Sequence, residues 1–158
     1  MVRKPTVLEW CAENKDVLWD LLRVYLGFAL VVKGFVYVLH MRAFVAMMQL
    51  HGVPFAGGTL ADLIALCHIA GGLMLAFGLL TRIGAAIQIP NLLGAVLFVH
   101  LQEGLFTTGQ TLEFATLVLA LLVMFAFGGA GRVSVDYYFS AKREIALGRA
   151  PEVAAPAE

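Results

Sequence analysis

The chain predicts an all-α membrane protein, a four-transmembrane-helix bundle with both termini cytoplasmic and a short interfacial helix after the first span. Three observations carry this. Of the 158 residues, 61% are hydrophobic and 14% charged, with a mean hydropathy of +0.87, whereas soluble domains average about 45–50% apolar residues. Four apolar stretches are each long enough to cross a hydrocarbon core of about 30 Å at about 1.5 Å per residue. Lysine and arginine gather on one side of those stretches.

The first twenty residues are polar and acidic, with Glu9, Glu13, Asp16 and Asp20. A secretory signal needs a basic start and an apolar core, so residues 1–20 predict a cytoplasmic or interfacial segment and the first span an uncleaved anchor. That span is placed at Leu21–Met41. Met41–Leu50 then reads as a short amphipathic helix at the interface. His51-Gly-Val-Pro-Phe-Ala-Gly-Gly carries the glycines and proline of a turn. The second and third spans, Leu60–Leu80 and Ile83–Leu101, are separated only by Thr81-Arg82, which predicts a tight antiparallel hairpin. The fourth is Leu112–Ala130. Residues 21–138 thus form one membrane domain, and residues 139–158, charged and then Ala/Pro/Glu-rich, predict a polar, disordered cytoplasmic tail.

Arg3, Lys4, Lys15 and Arg23 lie at or before the start of the first span. Arg82 sits between the second and third, and Arg132, Lys142, Arg143 and Arg149 follow the fourth. The opposite loops carry only Arg42, a bias that places both termini and Arg82 in the cytoplasm. Trp10 and Trp19 then fall at the inner interface, where indole rings prefer to sit.

That orientation sends His40, His51, His68, His100, Glu103 and Glu113 to the outer half. Lys33 lies ten residues beyond Arg23, about 15 Å into the membrane, too deep to snorkel easily. Tyr37 and His40 follow at i+4 and i+7 on the same helix face. His68 lies roughly 21 Å from the inner surface, and His100 and Glu113 reach the outer boundary at about 27 Å. Gln88, Pro90 and Asn91 add polarity and a kink to the third span. Ionisable groups at membrane depth are costly and mark functional sites.

His68-Ile-Ala-Gly-Gly-Leu-Met-Leu-Ala-Phe-Gly-Leu-Leu-Thr-Arg82 resembles the signature of the DoxX/DoxD family of small four-helix membrane proteins. So does Glu113, followed by an apolar run and Gly128-Gly-Ala-Gly-Arg-Val-Ser-Val-Asp136. Arg23-x-x-x-Gly27, Gly34 and Phe98-Val-His100 fit the same pattern, and the likeness spans roughly residues 20–138. It implies a bacterial or archaeal cytoplasmic membrane and a respiratory role like that of the membrane subunit of a thiosulfate:quinone oxidoreductase. The chain departs from the pattern in two places. His68 stands where a glutamate is frequent, and Lys33 precedes Gly34 while Tyr37 takes the later slot.

Two functional classes follow. In one, the chain is a redox-linked subunit binding quinone in the outer half of the bundle. Lys33, His68 and Glu113 are then its candidate catalytic residues, and Tyr37, His40, His100 and Asn91 its candidate binding residues. Quinone chemistry moves protons with electrons, and histidine exchanges protons near neutral pH. In the other, it is a non-catalytic accessory or assembly subunit of a larger membrane complex. A small-molecule transporter ranks third, because four helices enclose little room for a path. Either leading class implies a lipid bilayer and other membrane subunits of a redox complex as partners, and the net charge of +0 gives no hint of nucleic acid.

Each candidate also has a structural reading. His68 can be a neutral imidazole bonded to a helix carbonyl or to Glu113, and the other histidines can sit on wet helix ends. No His-x-x-x-His pair exists, so no metal site is expected, nor a haem or flavin site. Cys11 and Cys67 form no Cys-x-x-Cys, which argues against disulfide exchange. Gly71, Gly72, Gly78 and Gly84 are expected to let helices approach. Asp136 is expected to pair with Arg82 or Arg132, and Ser134 and Asp136 to cap a short following helix.

Overall fold

A computed structural model describes residues 14–104, 109–131 and 134–147, with no account of the Glu144 side chain. Its helices are α1 (Lys15–Leu39), α2 (Met41–Leu50), α3 (Gly58–Phe77), α4 (Thr81–Glu103), α5 (Thr111–Gly128) and α6 (Val135–Ala146). α1, α3, α4 and α5 are each long and apolar enough to cross a membrane, and no strand occurs among the described residues. The chain is a multi-pass membrane protein. Residues before Asn14, Arg132 and everything beyond Leu147 lie outside the described residues, including Cys11, Trp10 and most of the expected tail.

Neighbouring spans pack in chain order, α1 on α3, α3 on α4 and α4 on α5. The tightest seam is glycine on glycine. A Cβ on Gly72 would stand 2.8 Å from the carbonyl oxygen of Gly27 and 2.9 Å from the backbone nitrogen of Val31, so only a bare backbone lets α1 and α3 meet here. Leu26, Leu30, Leu75, Ala85, Val118, Leu122 and Phe125 form one core cluster drawn from all four spans. Outside it the apolar surface faces outward, with Phe28, Phe35, Phe77, Phe114 and Phe127 exposed. That inversion suits a bilayer, where tails solvate side chains and only the backbone must be satisfied internally.

Two boundaries differ from the sequence reading. α1 begins at Lys15, because its polar first turns are held inside the fold: Asp20 is buried and pairs with the fully buried Arg23 at 3.0 Å. Arg23 is therefore no exposed interfacial cation. Its guanidinium donates to the carbonyls of Leu75 and Ala76, the latter at 3.2 Å, satisfying the last turn of α3. The second difference is α6, which carries helix through Ala146 into the stretch expected to be a disordered tail. Ser134 Oγ caps it by accepting from the Tyr137 backbone nitrogen at 3.1 Å, and Asp136 lies in its first turn.

The α3–α4 hairpin turns through Gly78 (φ +66°) and Leu80 (φ +49°). Gly78 has no room for a side chain, since a Cβ would strike Ser134 and Arg23. Asp136 does not pair with Arg82. Its carboxylate accepts from the backbone nitrogens of Leu80 at 2.7 Å and Thr81 at 2.9 Å, capping α4 from the far end of the chain. Its own backbone nitrogen donates to the Gly78 carbonyl at 2.9 Å. The two glycine- and arginine-bearing motifs of the sequence thus meet at one end of the bundle, where they cap helices.

Candidate functional site

At the arginine-bearing end α1 and α5 touch. The Trp19 ring lies 4.6 Å from that of Phe125, and its Nε1 donates to the Gly129 carbonyl at 3.3 Å. Toward the other end a cavity of about 530 Å³ lies among the four spans, within the usual range for small-molecule sites of about 300–1,000 Å³. Leu26, Leu30 and Val118 line it nearest the core cluster. Met47, Met48, Val53 and Pro54, from α2 and the connection after it, line it at the end away from the core cluster. α2 therefore contributes a wall in addition to its amphipathic face. It is seated by buried Phe44 and Met48, which pack with Ala61 of α3.

Five of the seven residues singled out from sequence line this cavity: Lys33, Tyr37, His68, Asn91 and His100. His68 is buried, and its Nδ1 lies 2.9 Å from the Ile64 carbonyl oxygen. A carbonyl only accepts, so Nδ1 carries the proton and Nε2 of the neutral ring is the acceptor. Gly34 of α1 stands against this residue, where a Cβ would come within 3.0 Å of the His68 Cβ. Tyr37 meets the His68 ring edge-on at 5.3 Å and stacks on Phe44 at 4.0 Å, 7° from parallel. Lys33 Nζ lies 5.5 Å from the centroid of the Tyr37 ring, a cation–π distance. Lys33 is exposed rather than sealed in the bundle, so it sits at the cavity wall with its ammonium drawn toward the aromatic pair.

The third span is shaped to present its groups. Pro90 lacks the N–H that would bond back to Ala86, and the helix widens into a π segment over Ala95–His100, a feature frequent at functional sites. Asn91, Phe98, Val99 and His100 reach the cavity from this irregular stretch. The Asn91 side-chain nitrogen is buried with no hydrogen-bond partner. Such a group costs about 1–3 kcal/mol, a reason to expect a ligand or water beside it. Deeper in the α3–α4 seam, Gln88 Nε2 donates to the His68 carbonyl at 3.3 Å, fixing the register of the two helices.

His40 and Glu113 do not line the cavity. His40 is exposed, with Nδ1 3.1 Å from the Val36 carbonyl oxygen, as the wet-helix-end reading has it. Glu113 is half-buried in the first turn of α5. The expected contact between it and an imidazole is not made through Nδ1 of either candidate: His68 bonds Ile64, and His100 bonds Glu103 at 3.2 Å. The Thr111 hydroxyl also donates to Glu103, and Gln102 Nε2 donates to the His51 carbonyl at 3.2 Å. Glu103, Gln102 and Thr111 thus tie α4 to α5 and to the first connection at the end of the bundle away from Arg82. Only the i,i+3 spacing of His100 and Glu103 could have signalled this from sequence. Among the described residues no group of three or more His, Cys, Asp or Glu is placed to hold a metal ion.

The family model described as DoxX matches residues 18–101, just over half of the chain. No curated protein and no solved structure matches. The matched stretch covers α1 through most of α4, including Lys33, Tyr37, His68, Asn91 and His100.

Proposed function

The chain belongs to the DoxX family, and from that premise we propose that it binds a quinone in the outer-half cavity as the membrane subunit of a redox complex. The cavity is the single observation that carries this. It is apolar through Leu30, Phe44, Met48, Phe98 and Val118, which suits a flat ring, and it is polar at a few separated points. Lys33, Tyr37 and the unpartnered Asn91 amide offer donors to quinone oxygens, and His68 Nε2 offers an acceptor for a quinol hydroxyl. An isoprenoid tail would leave past Phe114, which lines the cavity and is 62% exposed. His68 and His100 would exchange the protons that accompany quinone reduction or oxidation, and a partner subunit would supply or take the electrons. The setting is a bacterial or archaeal cytoplasmic membrane, with both termini inside.

The accessory-subunit reading is favoured by a different observation. Arg23, Gly72, Gly78, Thr81 and Asp136, all within the family-like motifs, serve helix packing and capping and do not line the cavity. Family membership therefore supports the fold more directly than it supports a reaction. Calorimetric titration of the protein in nanodiscs with decylubiquinone separates the two. Saturable binding, weakened about tenfold by His68→Leu through one lost hydrogen bond, is expected. No saturable binding would leave the accessory role.

A further inference from the structure

Helix α6 carries an uncovered apolar stripe. Val135, Tyr138, Phe139, Ile145 and Ala146 recur at i, i+3, i+4, i+10 and i+11, the spacing of one helix face. Tyr138, Phe139 and Ile145 are each at least 60% exposed. Asp136, Ser140 and Arg143 fall on the other side. Lys142, exposed, interrupts the stripe with a chain that can lie along apolar surface and lift its charge to water.

The stripe is placed by Asp136, whose backbone and side-chain bonds hold the first turn of α6 to the Gly78–Thr81 turn. That turn joins two spans, so α6 begins at the edge of the lipid-facing belt. The surfaces are continuous. Phe139 shares a groove of about 720 Å³ with Leu79, Leu80 and Ile83, and Arg82 lines the same groove. Thr81 lines it as well, and its hydroxyl is fully buried without a partner. Both Asp136 carboxylate oxygens are engaged by backbone N–H groups, so the groove offers the exposed Arg82 as its cation.

We propose that α6 lies in the interfacial layer of the membrane and that the groove beside it holds an acidic phospholipid. One acyl chain runs along Leu80, Ile83 and Phe139, with the phosphate at Arg82. Lys142 and Arg143 add attraction to neighbouring acidic headgroups. An amphipathic helix with basic residues and exposed aromatics is the usual form of such a contact. The site is independent of the cavity and of whatever the cavity binds.

The test uses the full chain with Cys11 and Cys67 replaced by alanine and Ile145→Cys carrying a polarity-sensitive fluorophore. The protein is placed in nanodiscs of phosphatidylcholine alone or with phosphatidylglycerol. With phosphatidylglycerol, the probe should be quenched by brominated acyl chains and shielded from iodide. Affinity for a fluorescent phosphatidylglycerol should fall about fivefold for each of Arg82→Gln and Lys142→Gln, from about 1 kcal/mol per basic residue near an acidic surface. Inorganic phosphate should change neither signal. Iodide access in both disc types would overturn the proposal and point instead to a protein partner on this face. Embedding that ignores headgroup charge, or displacement by inorganic phosphate, would overturn the acidic-phospholipid assignment.

Discussion

Arg23, in the first span, donates to the backbone carbonyl of Leu75 at the end of the second, fifty-two residues along the chain. A guanidinium fully buried among helix ends is stabilised by the Asp20 carboxylate and those carbonyls beside it.

Arg23→Met should therefore destabilise the fold by about 3 kcal/mol or more, since it breaks a buried ion pair by removing one partner. Arg23→Met combined with Asp20→Leu should recover much of that loss. Unfolding by denaturing detergent, followed by circular dichroism, reads both variants. Equal stability of Arg23→Met and the parent would show that the buried pair contributes nothing.

Asp136→Ala removes the cap on α4 and should cost about 1 kcal/mol. Asp136→Asn, which keeps an acceptor oxygen, should cost less. Thermal melting in mild detergent gives the ranking, and a reversed order would contradict the hydrogen bonds to Leu80 and Thr81.

Within the parent complex, His68→Leu and Lys33→Leu should abolish quinone-dependent electron transfer while assembly proceeds. Leucine keeps the apolar bulk and removes hydrogen bonding and proton exchange. Normal turnover in both would decide for the accessory role.

Gly72→Leu should block assembly whichever reading holds. Its side chain has no space against the Gly27 carbonyl and Val31, and α1 and α3 would have to part. Recovery of a monodisperse, fully helical variant by size-exclusion chromatography would contradict the seam.

Cysteines at Gly57 and Gly109, in a background lacking Cys11 and Cys67, should react with an impermeant thiol reagent outside intact cells. One at Ala150 should not. The opposite labelling would reverse the orientation read from Arg82 and the other basic residues.

Much of the fold was legible because span length and turn chemistry are local. Met41–Leu50 reads as a helix from sequence and is one, and the tight hairpin expected between the second and third spans is present, though its turn lies at Gly78–Leu80 and Thr81-Arg82 already belong to α4. The candidate site was legible in part. Depth could be counted from Arg82, so His68 and His100 could be assigned to the half away from it and Asn91 to the inner half or middle of the third span. Rotation could not be counted. A span apolar all round has no stripe to say which way it faces, so the sequence could not show that Glu113 lies outside the cavity lining. The contacts of Arg23 with the end of α3 and of Asp136 with the start of α4 were not legible for a related reason: their partners, Leu75 and Leu80, are backbone groups more than fifty residues away. A sequence displays side chains and leaves such backbone partners unmarked.

The π segment at Ala95–His100 has a consequence for how this chain could have arisen and how it can be edited. A wide turn of this kind accommodates one residue beyond the α-helical repeat, the scar that a single-codon insertion leaves in a helix. Because the wide turn absorbs that residue, deleting one there, Leu97 for instance, would restore regular winding while the residues beyond it keep nearly their present rotation. His100 would still face the cavity and Glu103 would still reach Thr111. The same deletion in a regular stretch of the span would turn every later residue by about 100°, so the bulge is the one place in α4 where a residue can be lost without resetting that end of the cavity.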